Sequence, residues 1–278
     1  MATVIVPAHN ESAVISDCLE SIVGQEGVDH VIVACNGCSD DTADIVRAHF
    51  PGVHCLDIPE ASKTNALNVA EAKAKELGMV FPCFYIDADT RLGPNAVKTI
   101  AEALASSSVL LAAPTPVIDT AQSSWLVKQY YKTWLNLPYV KQGVIATCSY
   151  VITERGRERF DEFLEVISDD GYVRGHFGSS EISNIAQTEI HIRAPRDVIS
   201  LIKIKTRARL GNKQLLATGQ WHVREHRSHG RILAKRLLSR GVVSTVVYIL
   251  LTLIIRGRAD WQFRRISQYR WEKDLSSR

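Results

Sequence analysis

Asp87-Ala88-Asp89 sets two carboxylates one residue apart, directly after the apolar run Val80 to Ile86. Where a buried strand opens into a loop, such a pair suits holding a divalent cation against phosphate oxygens. An acidic turn that merely solvates a chain reversal has the same composition. The choice between these depends on what other loops converge there.

Two further spacings invite chemistry. Cys35-Asn36-Gly37-Cys38 has redox or zinc spacing, but no second cysteine pair accompanies it and the chain is not a small thioredoxin-like domain. His222-Val223-Arg224-Glu225-His226 matches a zinc-peptidase pattern without a recognisable downstream glutamate, and nine histidines produce such spacings by chance. Neither carries a functional reading.

The elements that must position the carboxylates alternate along the first half. Thr3 to Pro7 and His30 to Ala34 are short β-branched runs, separated by Ser12 to Val23 with Val14, Ile15, Leu19, Ile22 and Val23 on one helical face. Helical periods follow at Thr42 to His49, Lys63 to Leu77 and Pro94 to Ala105, alternating with strands at Val53 to Ile58, Val80 to Ile86 and Val109 to Ala113. Asp40 or Asp41 is suited to cap the second helix, and Pro94 to begin the fourth. This is a Rossmann-like, doubly wound, mainly parallel α/β sheet. Its strand-end loops hold His9-Asn10-Glu11, Asn36 to Asp41, Glu60 to Lys63 and Asp87 to Arg91, and ligands bind such sheets at that edge.

A chain of 278 residues, 46% of them hydrophobic, can bury a full core. Its net charge of +3 is too mild to imply nucleic-acid binding, although basic residues gather in Arg224 to Arg240 and Arg256 to Arg270. The chain opens on a strand without a signal-peptide pattern, so its six cysteines are expected reduced in the cytoplasm, with no disulfides.

Pro7-Ala8-His9-Asn10-Glu11, Asn36 to Thr42, Lys63 to Asn68 and Asp87-Ala88-Asp89 resemble, in order, spacing and strand context, the signatures of family 2 glycosyltransferases with the GT-A fold. The resemblance covers residues 1–115 and implies a nucleotide-sugar donor, a UDP-sugar ahead of others, with Mg or Mn. By position it implies that Pro7, His9 and Glu11 line the nucleoside pocket and that Lys63 approaches the donor phosphates or nucleoside. Asp87 would face ribose and metal, and Asp89 would be the principal metal ligand. A hard cation held by carboxylates would offset the charge that develops on the leaving diphosphate. Cys35-Asn36 stands where many relatives carry two aspartates, so Asn36 is a nucleotide-pocket residue that leaves the base undetermined.

Downstream, Lys141 to Tyr150 and Ile167-Ser168-Asp169-Asp170-Gly171-Tyr172 resemble the family's acceptor segment and catalytic-base motif. That implies Asp170 as the base for an inverting transfer, with Asp169 as the alternative; the same residues would also cap a following helix. Some GT-A enzymes complete the metal shell with a late histidine, for which His222 is the choice, with His226 and His229 behind it. Processive members carry Gln-x-x-Arg-Trp and membrane helices; Gln220-Trp221 lacks the arginine, which implies transfer of a single sugar to a glycan or lipid-linked acceptor in glycan or polysaccharide assembly. A nucleotidyltransferase, which would want a Gly- and Arg-rich first loop, and a non-catalytic nucleotide-sugar scaffold are the alternatives.

The expected organisation is a donor half at 1–115, an acceptor and base half of the same domain at 116–230, and a helical tail at 231–278. Ile190 to Ile192 alternates like an edge strand, and Arg196 to Leu216 is a helix clustering Lys203, Lys205, Arg207 and Arg209. The apolar run Val242 to Ile255 falls short of the roughly 20 residues that span a bilayer. With Trp261, Phe263, Tyr269 and Trp271 among arginines, the tail either lies peripherally on the inner face of a membrane or docks on protein.

Overall fold

The computed structural model describes residues 1–137, 140, 148–221, 230–237, 241–269, 272 and 276. In chain order the elements are β1 Ala2–Ala8, α1 Ile15–Glu20, β2 Val28–Asn36, α2 Thr42–His49, β3 His54–Ile58 and α3 Lys63–Glu76. Next come β4 Cys83–Ile86, β5 Thr90–Leu92, α4 Ala96–Ala105, β6 Leu111–Asp119, α5 Trp125–Trp134 and β7 Ser149–Ile152. The chain continues through α6 Glu154–Arg157, α7 Asp169–Arg174, β8 Ile182–Arg193, α8 Val198–Ala217, α9 Gly230–Leu237 and α10 Val242–Phe263.

One sheet joins the strands in the order β3-β2-β1-β4-β7-β6-β8-β5. The β3-β2-β1-β4 half is parallel throughout, as its β-branched runs and intervening helices require. Beyond it the sheet is mixed: β7 runs antiparallel between β4 and β6, β6 pairs parallel with β8, and β5 runs antiparallel to β8. The strand at β6 continues past residue 115 to Asp119, so the sheet is continuous through the expected half boundary.

The fully buried β1 separates two cores. On one face Val4, Val6, Phe84 and Ile86 pack with Ile15, Leu19, Val46 and Ile100 from α1, α2 and α4. On the other, Ile5, Ile32 and Tyr85 pack with Leu67 and Ala70 of α3 and with Tyr172 and Val173 of α7. A third cluster joins α5, α8 and α10 through Tyr130, Trp134, Leu201, Tyr248 and Leu251.

Local differences from the sequence expectations have simple causes. The first helix is regular only over Ile15–Glu20, with turns on either side. Asp41 occupies the cap position of α2 without a side-chain bond, and Asp40 instead accepts from the Thr42 N–H at 3.1 Å. The last long helix does not stop at Ile255: Arg256 to Phe263 contains no proline and continues it to 22 residues, long and apolar enough by length and composition to cross a membrane. The expectation that this run is too short is therefore corrected.

Candidate active site

The strand-end loops are bound to one another by backbone and short polar side chains. Asn36, 3% exposed, turns its amide back to donate to Ala8 O at 2.9 Å and Ala34 O at 3.3 Å. Its own carbonyl lies 2.6 Å from His9 Nδ1. Asn10 adopts a left-handed φ of 53°, which an asparagine tolerates, and its Oδ1 accepts from Ser39 N at 2.7 Å. The N–H of the buried Glu11 donates to Thr42 Oγ1 at 2.8 Å. Pro7, His9, Glu11 and Asn36 thus occupy one corner, where β1 and β2 end.

Gly37 ties the second loop to the third. Its φ is +55°, its N–H donates to Ile58 O at 2.7 Å, and a Cβ there would meet Ala61 backbone at 2.8 Å. Only glycine meets both requirements.

The third loop delivers the cation of the site. Ser62 caps α3 by accepting from Asn65 N at 3.2 Å, which starts the helix at Lys63. Lys63 Nζ then lies 2.8 Å from Asp87 Oδ1 and 3.0 Å from Asp169 Oδ1. Burial penalises its charged form, but Asp169 and Asp87 outweigh this and hold the ammonium well above its ordinary range. Asp87 is fixed through its backbone: its N–H donates to Cys148 O at 2.9 Å and its carbonyl accepts from Thr90 Oγ1 at 2.8 Å.

Asp89 is half-buried and lines a cleft of about 900 Å³ between α1, β5 and β8, with Arg91 and the Asp17–Arg193 ion pair among its walls. Cys18 shows which carboxylates gather nearby: burial, then Asp89, Asp87 and Glu11, push its thiol far up. Burial followed by Asp87 and Asp89 does the same to Cys148, with Lys63 opposing and Asp170 adding to the rise. These acids therefore share one electrostatic neighbourhood.

The acidic pair divides its roles. Asp169 is 6% exposed and points at Lys63; burial raises its carboxyl, and Lys63 opposes the rise. Asp170 is exposed at the start of α7, where its Oδ1 accepts from Ser168 Oγ at 2.6 Å and Gly171 N at 2.7 Å. Its Oδ2 takes no hydrogen bond from a described residue. The helix-cap reading and an open carboxylate oxygen therefore coexist in one side chain. Helix α8 backs this segment: Gln214 Oε1 accepts from Ile167 N at 2.9 Å, and a Cβ on Gly211 would meet Ser168 Cβ at 2.6 Å.

The cysteine spacing that carried no reading in the sequence also resolves. Cys35 Sγ lies 3.9 Å from Cys55 Sγ, whereas Cys38 Sγ donates to Ala8 O at 3.5 Å, and all six cysteines are free. His222, His226 and His229 lie outside the described residues, as do Lys141 to Thr147. Among the described residues no three metal-ligating side chains converge. Asp87 and Asp89 nevertheless offer hard carboxylate oxygens of the kind Mg or Mn takes with water and substrate phosphates completing its shell. The basic residues of α8 separate rather than cluster: Lys205 Nζ stands 3.6 Å over the Trp134 ring, while Arg207 donates to Glu272 O at 3.1 Å.

Sequence reasoning missed the support behind the site. Glu71 is 2% exposed and accepts from Arg157 Nε and Nη2, both at 2.7 Å, and from the Tyr85 hydroxyl. This joins α3, β4 and α6, whose residues stand far apart in the chain and carry no shared local pattern.

A parallel first half, a mixed second half and an acidic loop at the end of β4 make up the GT-A fold of glycosyltransferases. The chain belongs to glycosyl transferase family 2, whose model matches residues 3–153. This sets aside the nucleotidyltransferase and non-catalytic scaffold readings. Among solved structures, the chain is similar to the mannosyltransferase PcManGT from Pyrobaculum calidifontis in complex with GDP-Man and Mn2+, at 17% identity over 96% of this chain and 79% of that one, TM-score 0.58. It is similar to S. aureus TarS 1-349 in complex with UDP, at 13% identity over 99% and 95% of the two chains, TM-score 0.55. A third is glucosyl-3-phosphoglycerate synthase from Mycobacterium tuberculosis in complex with Mn2+, UDP and glucosyl-3-phosphoglycerate, at 17% identity over 81% of each chain, TM-score 0.51. No match was found among curated proteins.

Proposed function

We propose that the enzyme moves a single sugar, with inversion, from a nucleotide-sugar donor to a hydroxyl acceptor during glycan or polysaccharide assembly. The carrying observation is that Lys63 links Asp87 to Asp169, the neighbour of an exposed Asp170 with one open oxygen. Asp169, buried and held on Lys63, is a positioning residue. Asp170, anchored through Oδ1 and open at Oδ2, is the base.

In the transfer, the acceptor oxygen forms a bond to the anomeric carbon as the bond from that carbon to the β-phosphate oxygen breaks. The acceptor proton passes to Asp170, which makes the alcohol a competent nucleophile as it attacks. Lys63 places positive charge beside the Asp87 corner, where the leaving diphosphate carries its charge. Asp89 and Asp87 would hold a Mg or Mn ion, which when bound offsets that charge. The Asn36 amide hydrogens are committed to Ala8 and Ala34, so base recognition falls to other atoms of this corner. The relatives bound to UDP and to GDP-Man make a UDP-sugar the first donor to test and a GDP-sugar the second.

Asp170→Asn should lower transfer by about 10²- to 10⁴-fold, the usual contribution of a general base, while UDP binding with Mn by calorimetry stays at the wild-type value. Undiminished transfer would remove Asp170 from this role. Asp89→Ala should instead weaken Mn-dependent UDP binding itself.

A further inference from the structure

The two long faces of α10 have different surroundings. Tyr248, Leu251, Ile255 and Ala259 are buried against α5 and α8. Turned away from them, Val243, Val246, Leu250, Leu253, Ile254 and Trp261 are 42% to 56% exposed. At 3.6 residues per turn these six fall within an arc of about 100° and extend over about 27 Å. An exposed apolar face of this kind marks an interaction site, since hydrocarbon left in water is unfavourable.

Charge identifies the partner. From residue 224 onward the chain carries thirteen Lys and Arg against four Asp and Glu, whereas residues 1–223 carry more acids than bases. Arg256, Arg264 and Arg265 are exposed near the C-terminal end of the ridge, and the Arg265 guanidinium lies 4.9 Å from the Trp261 ring centroid. Asp260, the acid of α10, is ion-paired to Lys213. Apolar side chains bordered by arginines and a tryptophan suit the headgroup and acyl boundary of an anionic bilayer. A second copy seated on the same face would bring like charges together. Crossing the bilayer would strip α10 from its packing on α5 and α8.

We infer that α10 lies along the surface of an anionic membrane, its ridge inserted and its opposite face still packed on the catalytic domain. This inference stands apart from the transfer chemistry and does not depend on the identity of donor or base.

The test is co-sedimentation of the full chain with vesicles of phosphatidylcholine alone or of phosphatidylcholine with phosphatidylglycerol, at low and high salt. Binding is expected to the anionic vesicles and to weaken with salt. Leu250→Ser/Leu253→Ser/Ile254→Ser should reduce it by more than about tenfold without lowering the thermal midpoint. A second variant, Arg256→Gln/Arg264→Gln/Arg265→Gln, should abolish the preference for phosphatidylglycerol. Wild-type protein left in the supernatant, or a serine variant that sediments as wild type does, overturns the inference. So does a wild-type dimer in sedimentation velocity that the serine variant dissociates while vesicles bind neither protein; that result would assign the ridge to a second copy.

Discussion

Lys63 Nζ lies 3.0 Å from Asp169 Oδ1, a contact between the first residue of α3 and the acidic pair that opens α7. Through the same ammonium, 2.8 Å from Asp87, the loop after β4 and the acidic pair share one cation. Asp169 is 8% exposed at its side chain and Lys63 30%, so neither partner is freely screened by water.

Lys63→Met keeps the stem of the side chain and removes the charge. Asp169 is then a buried carboxylate without its cation, facing Asp87 across the gap. Breaking a buried pair from one side costs about 3–5 kcal/mol, and the partial exposure of Lys63 places the expected loss at the lower end, about 3 kcal/mol in urea unfolding. Transfer should fall with it. The further change Asp169→Asn in the Lys63→Met background should recover part of the stability and none of the transfer, and failure to recover any stability would show that this contact does not govern the fold there.

Glu71 and Arg157 form another internal ion pair, with fractional side-chain exposures of 3% and 12%. Arg157 also donates to Asp161 O at 2.6 Å, and its guanidinium lies 4.3 Å from the Phe160 ring centroid. Arg157→Lys cannot reproduce a planar two-pronged bond to Glu71 while reaching the carbonyls. It should lower stability by about 2–4 kcal/mol, close to the cost of Arg157→Met. A lysine variant within experimental error of wild type would show that charge alone suffices.

The first half of the fold was legible because local pattern and tertiary role coincide there. Each strand from β1 to β4 contains an apolar or β-branched run, and each ends in a polar cluster that the sheet brings to one edge. The second half lacks that agreement. The four residues Ser149–Ile152 become β7 only because β4 and β6 flank them. In β8, alternation is visible at Ile190 to Ile192, but the strand begins at Ile182 and its register with β6 shifts at Pro114/Thr115, which breaks the period. In the site, Asp87, Asp89, Lys63 and the acidic pair were visible as residue types. That Asp169 takes Lys63 while Asp170 stays open is decided by the approach of α3 to α7, which no local spacing encodes.

Asp40 should impose a window of acid sensitivity on the second loop. Burial pushes its carboxyl up, but hydrogen bonds from the Thr42 hydroxyl and from the Ser12 and Thr42 N–H groups outweigh burial and hold it at about 2, against an ordinary 3.8. The folded value lies below the unfolded one, so the unfolded chain binds the proton more readily between them. The contribution is present above the ordinary value and is lost as pH falls toward 2. Asp40→Asn removes the titration, so the stability gap between wild type and variant should narrow as urea unfolding is repeated from about pH 5 downward. A gap that stays constant would mean the carboxylate charge contributes nothing.

Gly211 tests whether Asp170, the proposed base, is placed by α8. A Cβ at this position would stand 2.6 Å from Ser168 Cβ and 3.0 Å from Ser168 N, and the backbone contact has no flexible end that could swing aside. Gly211→Ala must therefore move α8 away from the segment that begins α7. Asp170 is anchored to that segment through Ser168 and Gly171, so it moves with it. A displacement on the order of 1 Å at a reacting group can cost about 100-fold in rate, so kcat should fall toward that extent. The proposed donor corner is built from β1, β2 and α3, so nucleotide binding measured by calorimetry should remain at the wild-type value. Loss of both together would show that α8 supports the whole crevice; normal turnover in a stably folded variant would show that the base segment is held by something other than this close approach.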